Sequence, residues 1–191
     1  IKEDPAKASE AFDELLKGKN KKNAFLLVEI GRAYLDQGKT AEAAEYAQRA
    51  KDINSKCAVA YLLSGDIALN LNDVNKASSD YNQAIYLDED CSEAYFKYAQ
   101  VYKGVDPQLS LDMLMRLQSK TPEDNRISKE LADVYYTMGQ YGKAKEAYEN
   151  YLKVGTPTEQ DYTRYAMLLY LNKDYAQSLD CLLYTSPSRR D

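Results

Sequence analysis

Apolar residues along this chain recur at intervals of three and four. In LADVYYTMGQYGKAKEAYENYL, residues 131–152, Leu131, Val134, Tyr135 and Met138 line one face of a predicted helix. Gly139 ends that helix, as a residue free to take positive φ commonly does. Tyr141, Ala144, Ala147, Tyr148 and Tyr151 then give a second helix its own apolar stripe. Two helices this short cannot bury both stripes against each other alone, so the pattern predicts copies on either side. The same turn position falls on Gly38, Asn72 and Lys173. Segments starting at Ala24, Ala58, Ser92, Asn125 and Glu159 follow one another at spacings of 34, 34, 33 and 34 residues.

Other positions keep the same register. A small residue recurs in the first helix at Gly31, Gly65, Ala99, Ala132 and Ala166. In the second helix it recurs at Ala8, Ala43, Ala77, Ser110, Ala144 and Ser178. Two helix backbones approach closely only where no large side chain intervenes, so these slots mark the crossings. A second-helix aromatic falls on Phe12, Tyr81 and Tyr148, with Ala47 and Leu114 departing. An early first-helix aromatic falls on Tyr61, Tyr95 and Tyr162, with Leu27 and Ser128 departing. Pro122 stands near a unit's end, and Pro157 comes one place late. In these features residues 4–180 resemble the tetratricopeptide repeat (TPR) family, a helix–turn–helix unit of 34 residues. The resemblance implies an all-α fold, a right-handed α-solenoid of stacked antiparallel helix pairs (the TPR superhelix) with no single central core.

On this register residues 1–23 are the second helix of a truncated repeat plus a loop. Asp4 and Pro5 cap that helix, and Ala8, Phe12, Leu15 and Leu16 form its stripe. Units follow at 24–57, 58–91, 92–124 and 125–158, with a truncated fifth at 159–180. In the third, the stretch from Gly104 to Pro107 replaces the usual turn and is one residue short, and Asp106 and Pro107 are expected to cap the next helix across a tighter or shifted turn. After Asp180 the text CLLYTSPSRRD leaves the pattern and resembles a translated sequencing adapter. Residues 181–191 are therefore read as a non-native tail and excluded from function. Cys181 to Tyr184 can extend the last helix by chance, and Pro187 is expected to stop it.

Composition narrows the functional classes. The 191 residues are 45% apolar, with 18 Tyr, 3 Phe, no Trp and only 8 Gly and 5 Pro. No apolar run reaches the roughly 18 residues of a membrane helix. A formal charge of −5 argues against a nucleic-acid partner, which needs a basic stripe. The basic run from Lys17 to Lys22 and the acidic cluster from Asp88 to Asp90 both read as solvated loops. The acidic cluster lacks the ligand series of a calcium loop. Cys57 and Cys91 occupy the same slot of neighbouring units, about 10 Å apart on helix-packing distances. That exceeds a disulfide's span, so both are expected as free thiols.

With no His, no glycine-rich phosphate loop and no Gly-x-Ser-x-Gly elbow, no catalytic or metal constellation emerges, and the chain reads as a non-enzyme without cofactors. What remains is a binding surface. The resemblance implies that first helices line a concave groove through the second, fifth, ninth and twelfth slots of each unit. These give Phe25, Val28, Arg32 and Leu35, then Val59, Leu62, Asp66 and Leu69. Next come Glu93, Phe96, Gln100 and Lys103, then Arg126, Lys129, Asp133 and Tyr136. Gln160, Thr163, Met167 and Tyr170 close the series.

The first two units would offer mostly apolar anchors, and Lys103, Arg126 and Lys129 would make the middle locally basic. Such a groove suits an amphipathic helix or extended peptide with apolar anchors at one end and acidic residues further along. Arg32, Phe96 and Tyr136 are the types expected to dominate such contacts. Some family members clamp an acidic C-terminal tail with Lys, Asn and Arg from consecutive first helices. Here Arg32 and Lys129 lie three units apart and Asp66 and Asp133 would repel a carboxylate, so that clamp is expected to be absent.

The function read from the sequence is a protein–protein interaction scaffold with a peptide or protein partner. The alternative is a regulatory or spacer array of a larger enzyme or sensor. Self-association through uncapped ends is a third reading. The Tyr-rich, acidic array looks bacterial, and cytoplasm and periplasm both stay open.

Overall fold

Four of the described helix pairs turn on one residue held in the left-handed region. Gly38, Asn72, Gly139 and Lys173 have φ of 75°, 60°, 70° and 69°. These are the four positions that share the turn register in the sequence. At each, the left-handed residue's N–H bonds back to the third carbonyl before it, and the next N–H bonds to the fifth before itself. Gly38 and Lys39 do so to Leu35 and Tyr34 (2.9 and 2.9 Å), and Lys173 and Asp174 to Tyr170 and Leu169 (3.0 and 2.8 Å). This pair of bonds satisfies carbonyls that a helix end otherwise leaves open.

The structure, a computed structural model, describes residues 11, 12 and 14–185, with the side chains of 19, 184 and 185 set aside. The cap at Asp4 and Pro5, the small residue Ala8 and the stop at Pro187 lie outside the described residues. No strand occurs among the described residues. Two compact units divide the chain at Tyr95 and Phe96.

The first unit contains α1 (Ala24–Asp36), α2 (Thr40–Ile53), α3 (Ala58–Asn70) and α4 (Val74–Leu87), preceded by a 3₁₀ turn over Gly18–Lys22. Asn23 caps α1 by accepting from the Leu26 N–H, and Asp73 caps α4 by accepting from that of Lys76 (3.2 and 3.0 Å). α1 packs on α2, α3 on α4, and α3 also on α1 and α2. That central place explains the composition of α3. It buries Ala58, Ala60, Leu62, Leu63, Ile67 and Ala68, so it is apolar nearly all round. α2 and α4 instead bury one stripe each, Ala43, Tyr46, Ala47 and Ala50, and Ala77, Ser78, Tyr81 and Ala84. Phe12 is buried edge-on against Tyr34.

Helix α5 (Ser92–Tyr102) begins in the first unit and runs into the second, which continues with α6 (Pro107–Lys120), α7 (Asn125–Thr137), α8 (Tyr141–Val154), α9 (Glu159–Leu171) and α10 (Tyr175–Thr185). Between α5 and α6 no left-handed residue is used. Val105 and Asp106 both bond back to the Tyr102 carbonyl (3.0 and 2.8 Å), which closes the shorter turn. Asp106 then caps α6 by accepting from the Leu109 N–H at 3.0 Å, with Pro107 in the first turn. α7 packs on α6 and α8, and α9 on α8 and α10. Cys57, Cys91 and Cys181 are free thiols.

The small slots are contact points. A Cβ built on Gly31 would lie 2.7 Å from Leu63, and one on Gly65 would strike the ring of Tyr81, which is wholly buried. Where the second-helix slot is serine, the crossing is close enough for a hydrogen bond between helices. Ser110 donates to the Ala99 carbonyl and Ser178 to that of Ala166, each at 2.7 Å.

Two glycine substitutions separate packing from backbone effects. Gly65→Ala must displace the trapped Tyr81 ring and is expected to cost about 1–3 kcal/mol. Gly142, in the first turn of α8, faces open space apart from Asn172 at 3.7 Å, so Gly142→Ala should add about 0.4–1 kcal/mol. Thermal melts by circular dichroism should show opposite shifts, and a neutral Gly65→Ala would refute the close crossing.

Candidate functional site

The groove slots divide according to what packing leaves free. In the first unit Val28 and Leu62 are buried and Leu35 and Leu69 half-buried. Val28 belongs to a core cluster with Leu27 and Ile30. Arg32 pairs with Glu29 one turn back at 3.0 Å, and Asp66 accepts from the Tyr81 hydroxyl at 2.7 Å. Packing thus consumes Val28 and Leu62, so the apolar anchors expected there are largely core residues. Phe25 remains exposed.

In the second unit the cationic slots are answered by carboxylates. Lys103 reaches Glu130 at 2.9 Å and Asp133 at 3.2 Å, and Gln100 donates to Glu130 at 2.8 Å. Burial lowers the Lys103 pKa, but the bonds to Glu130 and Asp133 outweigh it and hold the ammonium above its ordinary value. Arg126 forks onto Asp124 (3.1 and 2.8 Å) and lies 4.7 Å over the ring of Phe96, which is only 7% exposed. Lys129 pairs with Asp161 and lies over the Tyr151 ring. The basic middle expected of Lys103, Arg126 and Lys129 is therefore cancelled, because long side chains reach acids on neighbouring turns and helices.

Asp161 is the focus of this network. It is 2% exposed, at the third position of α9. Thr158 and Asp161 form a reciprocal capping box, the carboxylate accepting from the Thr158 N–H and hydroxyl at 2.8 Å each. Tyr148 and Tyr151 of α8 donate their hydroxyls to it at 3.1 and 3.2 Å, and Lys129 of α7 completes the set. Burial pushes the pKa up, but the donors from Lys129 and Thr158 outweigh it and hold the carboxyl well below its usual range.

Beside this hub, α7 and α9 enclose a pocket of about 250 Å³ lined by Ala132, Asp133, Tyr136, Tyr148, Arg164, Met167 and Leu168. Ala132, Tyr148 and Leu168 are buried and form its apolar base. Tyr136 (42% exposed) and Met167 (60% exposed) stand at its edge. Tyr136 leans on the Tyr141 ring at 5.7 Å. Arg164 and Asp133 face each other at 4.0 Å. The structure thus brings three slot residues, Asp133, Tyr136 and Met167, into one pocket. Thr163 and Tyr170 lie on α9 before and after these pocket residues, the former donating to the Glu159 carbonyl and the latter packed on the Tyr175 ring.

Slot counting missed Arg164, Glu130 and Asp161, each off the expected face. A usable signal was present. Opposite charges meet across neighbouring pairs when about one repeat less a turn separates them, as in Lys103–Glu130, Lys103–Asp133, Asp133–Arg164, Lys129–Asp161 and Lys145–Asp174. No cluster of metal-ligating side chains occurs among the described residues, and none of the described helices is long and apolar enough to cross a membrane.

Helix pairs of this length, turn and crossing define an all-α helical-repeat protein. Family models described as tetratricopeptide repeat match residues 2–56, 58–91 and 130–154. The chain belongs to the tetratricopeptide repeat family. No curated protein matches it. Among solved structures it is similar to MamA (41-end) from Desulfovibrio magneticus RS-1, with a TM-score of 0.76 at 17% identity, covering 88% of this chain and 97% of that one. It is also similar to PilF from Pseudomonas aeruginosa, with a TM-score of 0.74 at 21% identity, covering 94% and 78%. YrrB, titled a TPR protein with an unusual peptide-binding site, gives 0.73 at 14% identity, covering 95% and 93%. At these identities the likeness is one of fold.

The hub sets an acid limit. A carboxyl with a depressed folded pKa adds stability that is present above its unfolded value, about 3.9, and is lost as pH falls towards the folded value. Melting temperature should therefore drop below about pH 4. Asp161→Asn should cost about 3 kcal/mol at pH 7, where it breaks the pair, and flatten the acid slope. Melts of both proteins from pH 7 to 2 measure this, and parallel pH profiles would exclude Asp161 as the titrating group.

Proposed function

We propose that this protein is a non-catalytic interaction scaffold that binds a peptide or helix on the α7–α9 face of its second unit. The tetratricopeptide fold supports a protein-interaction scaffold in general. The observation that carries the finer reading is the pocket of about 250 Å³ with exposed Tyr136 and Met167 at its edge. That volume lies just below the usual range for small-molecule sites and suits one large side chain of a longer ligand. An exposed aromatic beside an apolar recess is the arrangement that concentrates binding energy. The same reading takes units beginning at 24, 58, 92, 125 and 159, where α1, α3, α5, α7 and α9 start.

Selection of displayed random 16-residue peptides on the intact chain tests this proposal. Selected peptides should share an aromatic or long aliphatic anchor. Tyr136→Ala combined with Met167→Ala should weaken them at least tenfold, about 1.4 kcal/mol. Phe25→Ala in the first unit should leave them unchanged. Binding indifferent to the double substitution would remove the site from α7–α9.

A further inference from the structure

The pocket between α7 and α9 has a rim whose two charges are not equivalent. Asp133 is already engaged, 3.2 Å from Lys103, and its side chain is 28% exposed. Arg164 is different. Its side chain is 61% exposed, and it approaches Asp133 only to 4.0 Å, at the outer limit of a useful contact. Arg164 also borders the shallow recess formed by Thr158, Glu159, Gln160 and Thr163 and a second apolar recess with Met167 and Tyr170. A guanidinium carries five donors in a rigid fork suited to a carboxylate. The pocket base is apolar, because the Tyr148 hydroxyl is spent on Asp161 and leaves the ring as lining.

We infer that the pocket's ligand is a peptide in which one large apolar side chain enters between α7 and α9 while a neighbouring Asp or Glu carboxylate is held by Arg164. This rests on the proposed peptide-binding reading and adds the chemistry of the partner. Charge complementarity selects the occupant. The chain as a whole is acidic, at −5, and repels acidic peptides, so a preference for them must come from a local cation. Lys103, Arg126 and Lys129 each have a carboxylate within 3 Å, whereas Arg164 does not. The Arg164 guanidinium is the rim group with donors left to offer.

An array of synthetic dodecapeptides on a Gly-Ser background, with Leu or Phe at the centre and Glu, Gln or Lys at each flanking position, tests this on the intact chain. Anisotropy titrations should show about a tenfold preference for Glu over Gln at one or more flanking positions. That preference should shrink as salt is raised from 0.02 to 0.5 M. Arg164→Gln should bring Glu and Gln peptides to equal affinity, and Arg164→Lys should retain part of the preference. Peptides that depend on Tyr136 and Met167 but do not distinguish Glu from Gln, or keep the preference in Arg164→Gln, would overturn this inference and leave the pocket standing. Absence of any peptide dependent on Tyr136 and Met167 would overturn both.

Discussion

The structure depends on a steric demand at the crossing of each helix pair. One backbone must come within reach of the other, and a single added carbon at Gly65 would collide with the ring of Tyr81. At two other crossings the serine hydroxyls of Ser110 and Ser178 bond to carbonyls on the facing helix at 2.7 Å. The left-handed turn and the crossing act together. The turn sets where the second helix starts, and the small slot sets how close it lies. With both fixed, each pair is a preformed block, and the outer face of its first helix is free to vary.

This division explains what was legible beforehand. The crossing and the turn restrict residue type, so Gly31, Gly65 and Ala132 announced themselves. Asn72 and Lys173 could be placed in the turn by register alone, although neither is glycine, and both adopt positive φ. The face was legible only in outline. A slot rule records where a Cβ points, whereas the charge of a surface depends on where long side chains end. Lys129 ends on Asp161 of α9, and Lys103 ends on Glu130 and Asp133 of α7. Phe96 lies beneath Arg126. Those meetings are between residues 27 to 32 places apart, a separation visible only once the repeat and the side-chain reach are combined.

Packing and the candidate site share a residue. Tyr148 gives its hydroxyl to the hub at Asp161 and its ring to the base of the pocket. It also stacks on Tyr165 of α9 at 5.8 Å. The recess is therefore tied to a buried carboxylate through the hydroxyl of the same ring. Its rim, made of Tyr136, Met167 and Arg164, is the adjustable part.

The ties between neighbouring pairs in the second unit differ in kind from those inside a pair. Inside a pair the contacts are largely apolar, whereas between pairs several are ionic. Dissolved salt weakens exposed ionic ties and leaves apolar ones intact. The Lys145–Asp174 tie, with its carboxylate one-third exposed, lies open to screening, and the Lys129–Asp161 tie, with its carboxylate sealed, is shielded from it. The second unit is thus a row of stiff blocks on joints of unequal compliance, and the electrolyte around it decides which joint flexes first.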